Sequence, residues 1–335
     1  MAGYWPTPLH ELPELATSWG VGRVLAKHEA NRFGLPSFKI LGASWGVYQA
    51  LRETVDVPGA EYGPEVCARL ARGPVRRLVT ATDGNHGRAV AWMARFFGLE
   101  SDVFLPESTS PGRVAAIRDE GAAVQLVPGD YDRACGDAAA WADAAAGRLL
   151  VQDTYTPGRD QMPRWITEGY STVLHEVDDV GATSLDVVFV PAGVGSFANA
   201  VADHHAAGEV RILTVEPSDA ACVLASIEAG RPTRAPGPHR TSMAGLNCGT
   251  VSEVAWPLLR SRLDGCSAVT DAQASAAARL LDGHGIRTGA TGAAAAAGAA
   301  LVCGDPAARA ELGIGRGSTL LLLITEGVTD LAGSK

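Results

Sequence analysis

The sequence predicts an α/β protein made of two lobes, each with its own parallel β-sheet. Its 335 residues exceed what one ordinary core accommodates, so two lobes are expected. Short β-branched runs also alternate with helical patterns along the chain, as in βαβ units, where a helix connects two parallel strands. Ligands bind beyond the carboxyl ends of such strands, and we therefore expect a binding cleft between the lobes.

The alternation can be followed through both halves of the chain. In the first half, strands and helices are predicted in turn over RLVT, GRAVAWMARFFG, SDVFLP, SPGRVAAIRDEG, AAVQLVP, YDRACGDAAAWADAAAG and RLLVQDT. The second half repeats the pattern from LDVVFVP to STLLLLITEG and includes a helix for which Asp271 is the expected N-cap. Residues 231–257 are rich in Pro and Gly without periodicity, which indicates a long loop.

Composition excludes several classes of protein. A net charge of −9 without basic runs argues against a nucleic-acid partner. The sequence contains no run of about 18 apolar residues, which a membrane span would need, and its first residues lack a signal-peptide pattern. We therefore expect a soluble cytoplasmic protein. The six cysteines form no CxxC pair, so no zinc site and no other metal is expected, and free thiols are the default.

The first candidate motif is Ser37-Phe38-Lys39, which opens the amphipathic segment ILGASWGVYQALRE. A lysine at a helix start meets the partial positive charge of the free N–H groups, which disfavours its ammonium form. A deprotonated lysine can form an imine with a carbonyl group. An ordinary solvated lysine explains this segment alone equally well, but lysines are scarce in the chain and Lys39 lies in an apolar stretch.

A second motif, Thr82-Asp83-Gly84-Asn85-His86-Gly87, lies between a predicted strand and a predicted helix. Its backbone N–H groups would form an anion site at the helix N-terminus that suits a substrate carboxylate. Asn85 can donate a hydrogen bond to a phenolate oxygen, and Asp83 can accept a proton. Taken alone, an ordinary Asp-Gly-Asn turn is the better explanation.

Two further motifs follow predicted strands. The glycine loop 192–198, with the sequence AGVGSFA, can cradle a phosphate with successive N–H groups. With Glu216 downstream it also fits a dinucleotide fingerprint, but that interpretation leaves Lys39 and the second motif unexplained. The last strand ends in TEGVTD, where the Thr325 hydroxyl could face a pyridine nitrogen.

These motifs, SFK, TDGNHG, AGVGS and TEGVTD, have the order and spacing of fold type II enzymes that use pyridoxal 5'-phosphate (PLP). Within that group the chain resembles the diaminopropionate ammonia-lyase family through NRFGLPSFKILG, ATDGNHGRAVAW, VQDTYTP, PRWITEGY, VEP, MAGLNCG and TEGVTD. The matches run from Tyr4 to Asp330. The resemblance implies a small α/β domain over 38–149, a large PLP-binding domain over 1–37 and 150–335, and the cofactor in the cleft between them.

The resemblance also implies roles for individual residues. Lys39 would hold PLP covalently, and Asp83 and Asp153 would serve with it in acid–base steps. The cofactor would further contact Asn85, Gly193, Val194, Gly195, Ser196, Phe197 and Thr325. The substrate would contact Ser37, Thr82, Asp83, Gly84 and His86. The family can carry a disulfide at the positions of Cys222 and Cys248, and its fold relatives pair as homodimers.

The implied reaction is elimination of the β-amino group of 2,3-diaminopropionate, or a close analogue, through aminoacrylate to pyruvate and ammonia. One departure bears on the substrate: Gly289-Ala290-Thr291-Gly292 lacks the glutamate that the family usually carries there. Three alternatives therefore stay open, namely serine or threonine dehydration, β-replacement, and a non-catalytic nucleotide-binding α/β protein.

Overall fold

The computed structural model describes residues 3–57, 63–82, 84–154, 158–182, 184–208 and 210–329. It separates into two compact units. One is built mainly from Lys39–Gly169, and the other from Trp5–Phe38 and Tyr170–Thr329. None of the helices in these ranges has the length and apolarity needed to span a bilayer.

The strands, in chain order, are β1 (Leu9–Glu11), β2 (Arg23–His28), β3 (Arg77–Ala81), β4 (Glu100–Pro106), β5 (Ala123–Val127), β6 (Arg148–Leu150), β7 (Val187–Pro191), β8 (Arg211–Pro217), β9 (Gly265–Val269) and β10 (Thr319–Ile324). The helices are α1 (Pro13–Trp19), α2 (Lys39–Thr54), α3 (Pro64–Ala71), α4 (Asn85–Phe97), α5 (Pro111–Asp119), α6 (Tyr131–Asp143), α7 (Gln161–Tyr170), α8 (Thr172–Asp179), α9 (Ser196–His204), α10 (Cys222–Ala229), α11 (Trp256–Arg262), α12 (Asp271–Gly283), α13 (Ala290–Gly304) and α14 (Pro306–Glu311). Single 3₁₀ turns cover Ser218–Ala220 and Ala244–Leu246.

Each unit has its own sheet, as the sequence predicts. Within the described ranges, the larger unit contains six strands in the order β1-β2-β10-β7-β8-β9, which are parallel except for β1. The smaller unit contains four parallel strands in the order β5-β4-β3-β6. Parallel sheets need helical crossovers, which explains the alternation of the sequence pattern. The predicted α/β architecture, with a parallel sheet in each of two units, is confirmed.

The core of the larger unit is formed where the alanine-rich helix α13 packs on its sheet. The helix buries Ala293–Ala297, and the run Leu320–Ile324 of β10 is buried as well. A Cβ on Gly298 would lie 2.5 Å from Val215 Cγ2 of β8, so only glycine permits this approach. Small residues thus bring the helix close to the sheet.

In the smaller unit, α7 packs against α2, the helix that begins with Lys39. A Cβ on Gly46 would lie 2.9 Å from Met162 Sδ, and one on Gly169 would lie 2.5 Å from the Leu41 carbonyl oxygen. This packing accounts for a compact unit that continues past residue 149 to residue 169. The sequence-predicted domain boundaries, with 150–335 in the large domain, stay a prediction.

Candidate active site

Lys39 is the first residue of α2, as predicted, and its side chain is paired with a carboxylate. Its Nζ lies 2.7 Å from Asp153 Oδ2, with side-chain exposures of 21% and 6%. Burial alone would raise the pKa of Asp153, but the Lys39 ammonium, and to a lesser degree His86, lower that pKa to about 2. Two of the three residues that the family resemblance assigned to acid–base steps, Lys39 and Asp153, therefore form one ion pair in the smaller unit.

The segment leading to Lys39 is fixed by a tight turn. Arg32 and Leu35 exchange two backbone hydrogen bonds of 2.8 Å, and Phe33 and Gly34 between them both have positive φ. The Asn31 side chain accepts a hydrogen bond from the Gly34 N–H at 3.1 Å. This is the geometry of a type I′ turn, which favours Gly at the second central position. The turn sets the direction in which the chain approaches Ser37 and Lys39.

His86 lies next to the ion pair, at the start of α4. Its Nε2 is 3.0 Å from the Val151 carbonyl oxygen, and its buried Nδ1 has no hydrogen-bond partner among the described residues. Burial lowers the pKa of His86, an effect that the Asp153 carboxylate opposes and the Lys39 ammonium reinforces. A neutral imidazole beside a lysine and a carboxylate is suited to hydrogen bonding with a polar ligand.

The rest of the TDGNHG motif forms the predicted strand-to-helix turn. Thr82 Oγ1 accepts a hydrogen bond from the Gly84 N–H at 2.9 Å, and Asn85 is the first residue of α4. A Cβ on Gly87 would lie 2.4 Å from Thr82 Cγ2, so glycine is required there. Asp83, the other predicted acid–base residue, lies outside the described residues.

The glycine loop of the larger unit connects β7 to α9. Gly195 has a φ of 92° and is the N-cap residue of α9, and a Cβ at this position would lie 2.7 Å from Leu259 Cδ1. Val194, Ser196 and Phe197 are buried. The first N–H groups of a helix have no partners within it, so the start of α9 offers the donors that a phosphate needs.

Cys222 and Cys248 both contact Gly193 of this loop. Cys222 Sγ donates a hydrogen bond to the Gly193 carbonyl oxygen at 3.3 Å, and a Cβ on Gly193 would lie 3.0 Å from Cys248 Sγ. The structure has both residues as thiols. The disulfide between them stays a prediction.

The end of β10 lies beside the segment that precedes Lys39. Ser37 pairs with Glu326 in an isolated bridge, and the Phe38 N–H donates to the Thr325 carbonyl oxygen at 3.4 Å. Thr325 Oγ1 is buried and has no hydrogen-bond partner among the described residues. A buried hydroxyl without a partner among the described residues is open to a hydrogen bond with a bound group. Together with the phosphate-type loop, this hydroxyl fits a pyridine ring that carries a phosphate.

Sequence reasoning missed an aromatic cluster in the larger unit. The Phe38 ring lies 4.3 Å from the Phe197 ring and 4.7 Å from the Tyr170 ring, measured between centroids. Phe38 belongs to SFK and Phe197 to the glycine loop, so the cluster ties the lysine-bearing segment to the predicted phosphate loop. The position of Phe38 beside Lys39 was the one signal that could have indicated this role.

The larger unit also contains a buried ion cluster, formed by Lys27, Glu29, Arg32 and Glu176, that the sequence did not predict. Arg32 donates to both oxygens of Glu176 at 2.6 Å and to Glu29 at 2.8–2.9 Å, and Lys27 Nζ lies 2.6 Å from Glu176 Oε2. Burial opposes the charge of Arg32, but the two carboxylates raise the pKa of its guanidinium. The signal was a set of charged residues in and just after an apolar strand, β2. The cluster anchors the turn that leads to Lys39.

Comparisons with known proteins identify the family of the chain. Residues 1–326 match the family described as pyridoxal-phosphate dependent enzyme. The diaminopropionate ammonia-lyase of Escherichia coli (strain K12) is 32% identical over 349 residues, which cover 99% of this chain and 86% of the relative. The biosynthetic L-threonine dehydratase of Salmonella typhimurium is less similar, at 28% identity over 69% of this chain and 39% of its own length.

Solved structures give the same result. The crystal structure of the Escherichia coli diaminopropionate ammonia-lyase in complex with D-serine superposes with a TM-score of 0.89 at 31% identity and covers 99% of this chain and 87% of that one. The structure of the same enzyme with an aminoacrylate–PLP azomethine reaction intermediate has a TM-score of 0.86 at 30% identity, with coverages of 99% and 86%. The chain therefore belongs to the pyridoxal-phosphate-dependent enzymes and, among them, to the diaminopropionate ammonia-lyase family.

Proposed function

We propose that the chain is a PLP-dependent ammonia-lyase that removes the β-amino group of 2,3-diaminopropionate. The observation that carries the proposal is the Lys39–Asp153 ion pair, with Nζ and Oδ2 2.7 Å apart. It supplies both a lysine for the cofactor and a second proton-transferring group. When bound, PLP supplies a carbonyl carbon that amines attack and a ring that withdraws electrons from the substrate's α-carbon.

Each of the candidate site residues has a separate proposed role. Lys39 Nζ would hold the cofactor, and as a free amine it can take a proton from the substrate's α-carbon. Asp153 stays ionised at neutral pH because its pKa is about 2, so its carboxylate can accept a hydrogen bond from an ammonium group. The start of α9 would receive the phosphate, Thr325 the pyridine nitrogen, and Asn85 the phenolate oxygen.

The overall reaction balances with one water. The C3–N bond breaks and ammonia leaves, the α-carbon loses its proton, and the resulting aminoacrylate takes up water to give pyruvate and a second ammonia. Two ammonia molecules therefore form for each pyruvate. Serine, which loses water instead, would give only one.

A carboxylate lies near the site where the family glutamate is absent. A Cβ on Gly289, the N-cap residue of α13, would be 4.0 Å from Glu326 Oε1, and one on Gly245 would be 3.7 Å from Glu326 Oε2. Glu326 is buried at the end of β10. This acidic group supports a diamino substrate over a hydroxyamino acid, because a carboxylate stabilises an ammonium group.

The test is a substrate panel that includes both enantiomers of 2,3-diaminopropionate, both enantiomers of serine, and L-threonine. We expect pyruvate and ammonia in a 1:2 ratio from diaminopropionate and much slower release from the others, with Lys39→Ala as the inactive control. Faster 2-oxobutyrate release from threonine would establish the dehydratase alternative. A product formed only with an added thiol or other nucleophile would establish β-replacement.

We further propose that the enzyme is a cytoplasmic homodimer. The general preference of soluble oligomers for two-fold symmetry supports the dimer. Light scattering coupled to size exclusion should give twice the mass of 34.7 kDa. A monomer mass throughout the micromolar range would refute the dimer.

A further inference from the structure

A second cluster of titratable side chains lies in the larger unit, on α8 and α9. His175 and Asp178 are three residues apart on α8, a spacing that places both on one face of a helix. His204 is the last residue of α9, and its Nε2 lies 2.8 Å from Asp178 Oδ2. One ligand atom from each of the three residues falls within 4.8 Å of the other two.

We propose that His175, Asp178 and His204 bind one divalent transition-metal ion of the zinc class. Two imidazoles and one carboxylate form a donor set that suits Zn²⁺, and water can complete the coordination. Metal–ligand bonds of about 2.0–2.2 Å place neighbouring ligand atoms roughly 3–3.5 Å apart. The Asp178–His204 separation is already near that range. Only the exposed His175 side chain has to move inward.

The location gives such an ion a structural effect. Helix α9 begins at Ser196, in the predicted phosphate loop, and ends at His204. Helix α8 carries Glu176 of the buried ion cluster, next to His175. An ion shared by the two helices would join the carboxyl end of α9 to α8, and its binding would stabilise the folded larger unit.

The simpler alternative is a hydrogen-bonded histidine–aspartate pair with a neighbouring histidine. The chain offers a matched control for it, because His284 Nδ1 lies 2.9 Å from Glu14 Oε2. This second pair belongs to no group of three possible ligands among the described residues. The two interpretations therefore make different predictions: a metal site needs all three side chains, whereas a hydrogen-bonded pair does not bind the ion.

The experiment uses the tag-free, PLP-loaded enzyme after removal of metals with a chelating resin. Zn²⁺ is titrated calorimetrically, and thermal unfolding is followed with and without Zn²⁺. We expect one Zn²⁺ per chain and a higher midpoint of unfolding with the ion present. His175→Ala, Asp178→Asn and His204→Ala should each weaken binding at least about tenfold and abolish the shift in midpoint, because even outer partners of metal ligands are worth ten- to a hundredfold.

His284→Ala should bind Zn²⁺ as the wild type does. His175→Ala removes an exposed side chain and is expected to fold, so it remains informative if the other two variants do not. A Zn²⁺ equivalent that binds equally well to His175→Ala, or the absence of any binding to the wild type, would overturn the proposal. Co²⁺ gives a second readout, since its visible absorption on binding should be lost in the same variants.

Discussion

Replacing Asp153 by asparagine tests the Lys39–Asp153 ion pair directly. The pKa of Asp153 falls from its ordinary 3.8 to about 2, which corresponds to about 2 kcal/mol of preference for the ionised form in the folded state. Asparagine keeps the shape but leaves the Lys39 ammonium without its carboxylate. We therefore expect the variant's apoenzyme to lose about 2 kcal/mol of unfolding free energy at pH 7.

The difference in unfolding free energy between wild type and variant should depend on pH. Because the folded pKa of Asp153 is depressed, its contribution is fully present above about pH 4 and is lost as the pH falls towards 2. Urea unfolding of the apoenzymes at pH 7, 5 and 3 should show a constant difference between wild type and variant at the first two values and a smaller one at the third. An equal difference at all three values, or none at pH 7, would refute the reasoning.

Three further predictions concern the same site. Lys39→Ala should abolish turnover and remove the borohydride-trapped mass increase on this residue; a variant that turns over near the wild-type rate would contradict the PLP assignment. Asp83→Asn and Asp153→Asn should slow the two enantiomers of diaminopropionate unequally, by roughly 10²–10⁴-fold for the one affected, because a carboxylate reaches only one face of the substrate; equal losses measured for both enantiomers would exclude two separate bases. If Cys222 and Cys248 form a disulfide, thiol titration of the unreduced, denatured protein should find four thiols, and reduction should change activity more than stability; six thiols would exclude the bridge.

Much of the fold could be predicted from periodicity, because buried parallel strands and the helices between them leave distinct apolar patterns. The residue at which a helix begins was harder to predict. Asp271 was predicted as the N-cap of α12, but Thr270 is the cap, and it forms a capping box with Gln273. The two residues are adjacent and both can accept the N–H of a helix, so the sequence pattern alone cannot choose between them.

The candidate site was predictable where one short motif contains the whole feature. Lys39 at a helix start and Gly195 at a positive-φ turn are such cases. Contacts between distant segments were not predictable. Lys39 and Asp153 were assigned to one site through the family resemblance, but their direct pairing depends on how α2 and the segment after β6 meet. The exclusion of metals rested on cysteine spacing, which carries no information about ligands such as His175 and His204 on two different helices.

The buried ion cluster of Lys27, Glu29, Arg32 and Glu176 has a consequence for the evolution of this chain. Its two positive and two negative charges balance, so any single neutral replacement leaves an uncompensated charge in the interior, at a cost of roughly 3–5 kcal/mol. A coordinated replacement by apolar residues of similar size would avoid that penalty. Intermediates with three of the four charges should be selected against, and we therefore expect these four positions to change together among homologues.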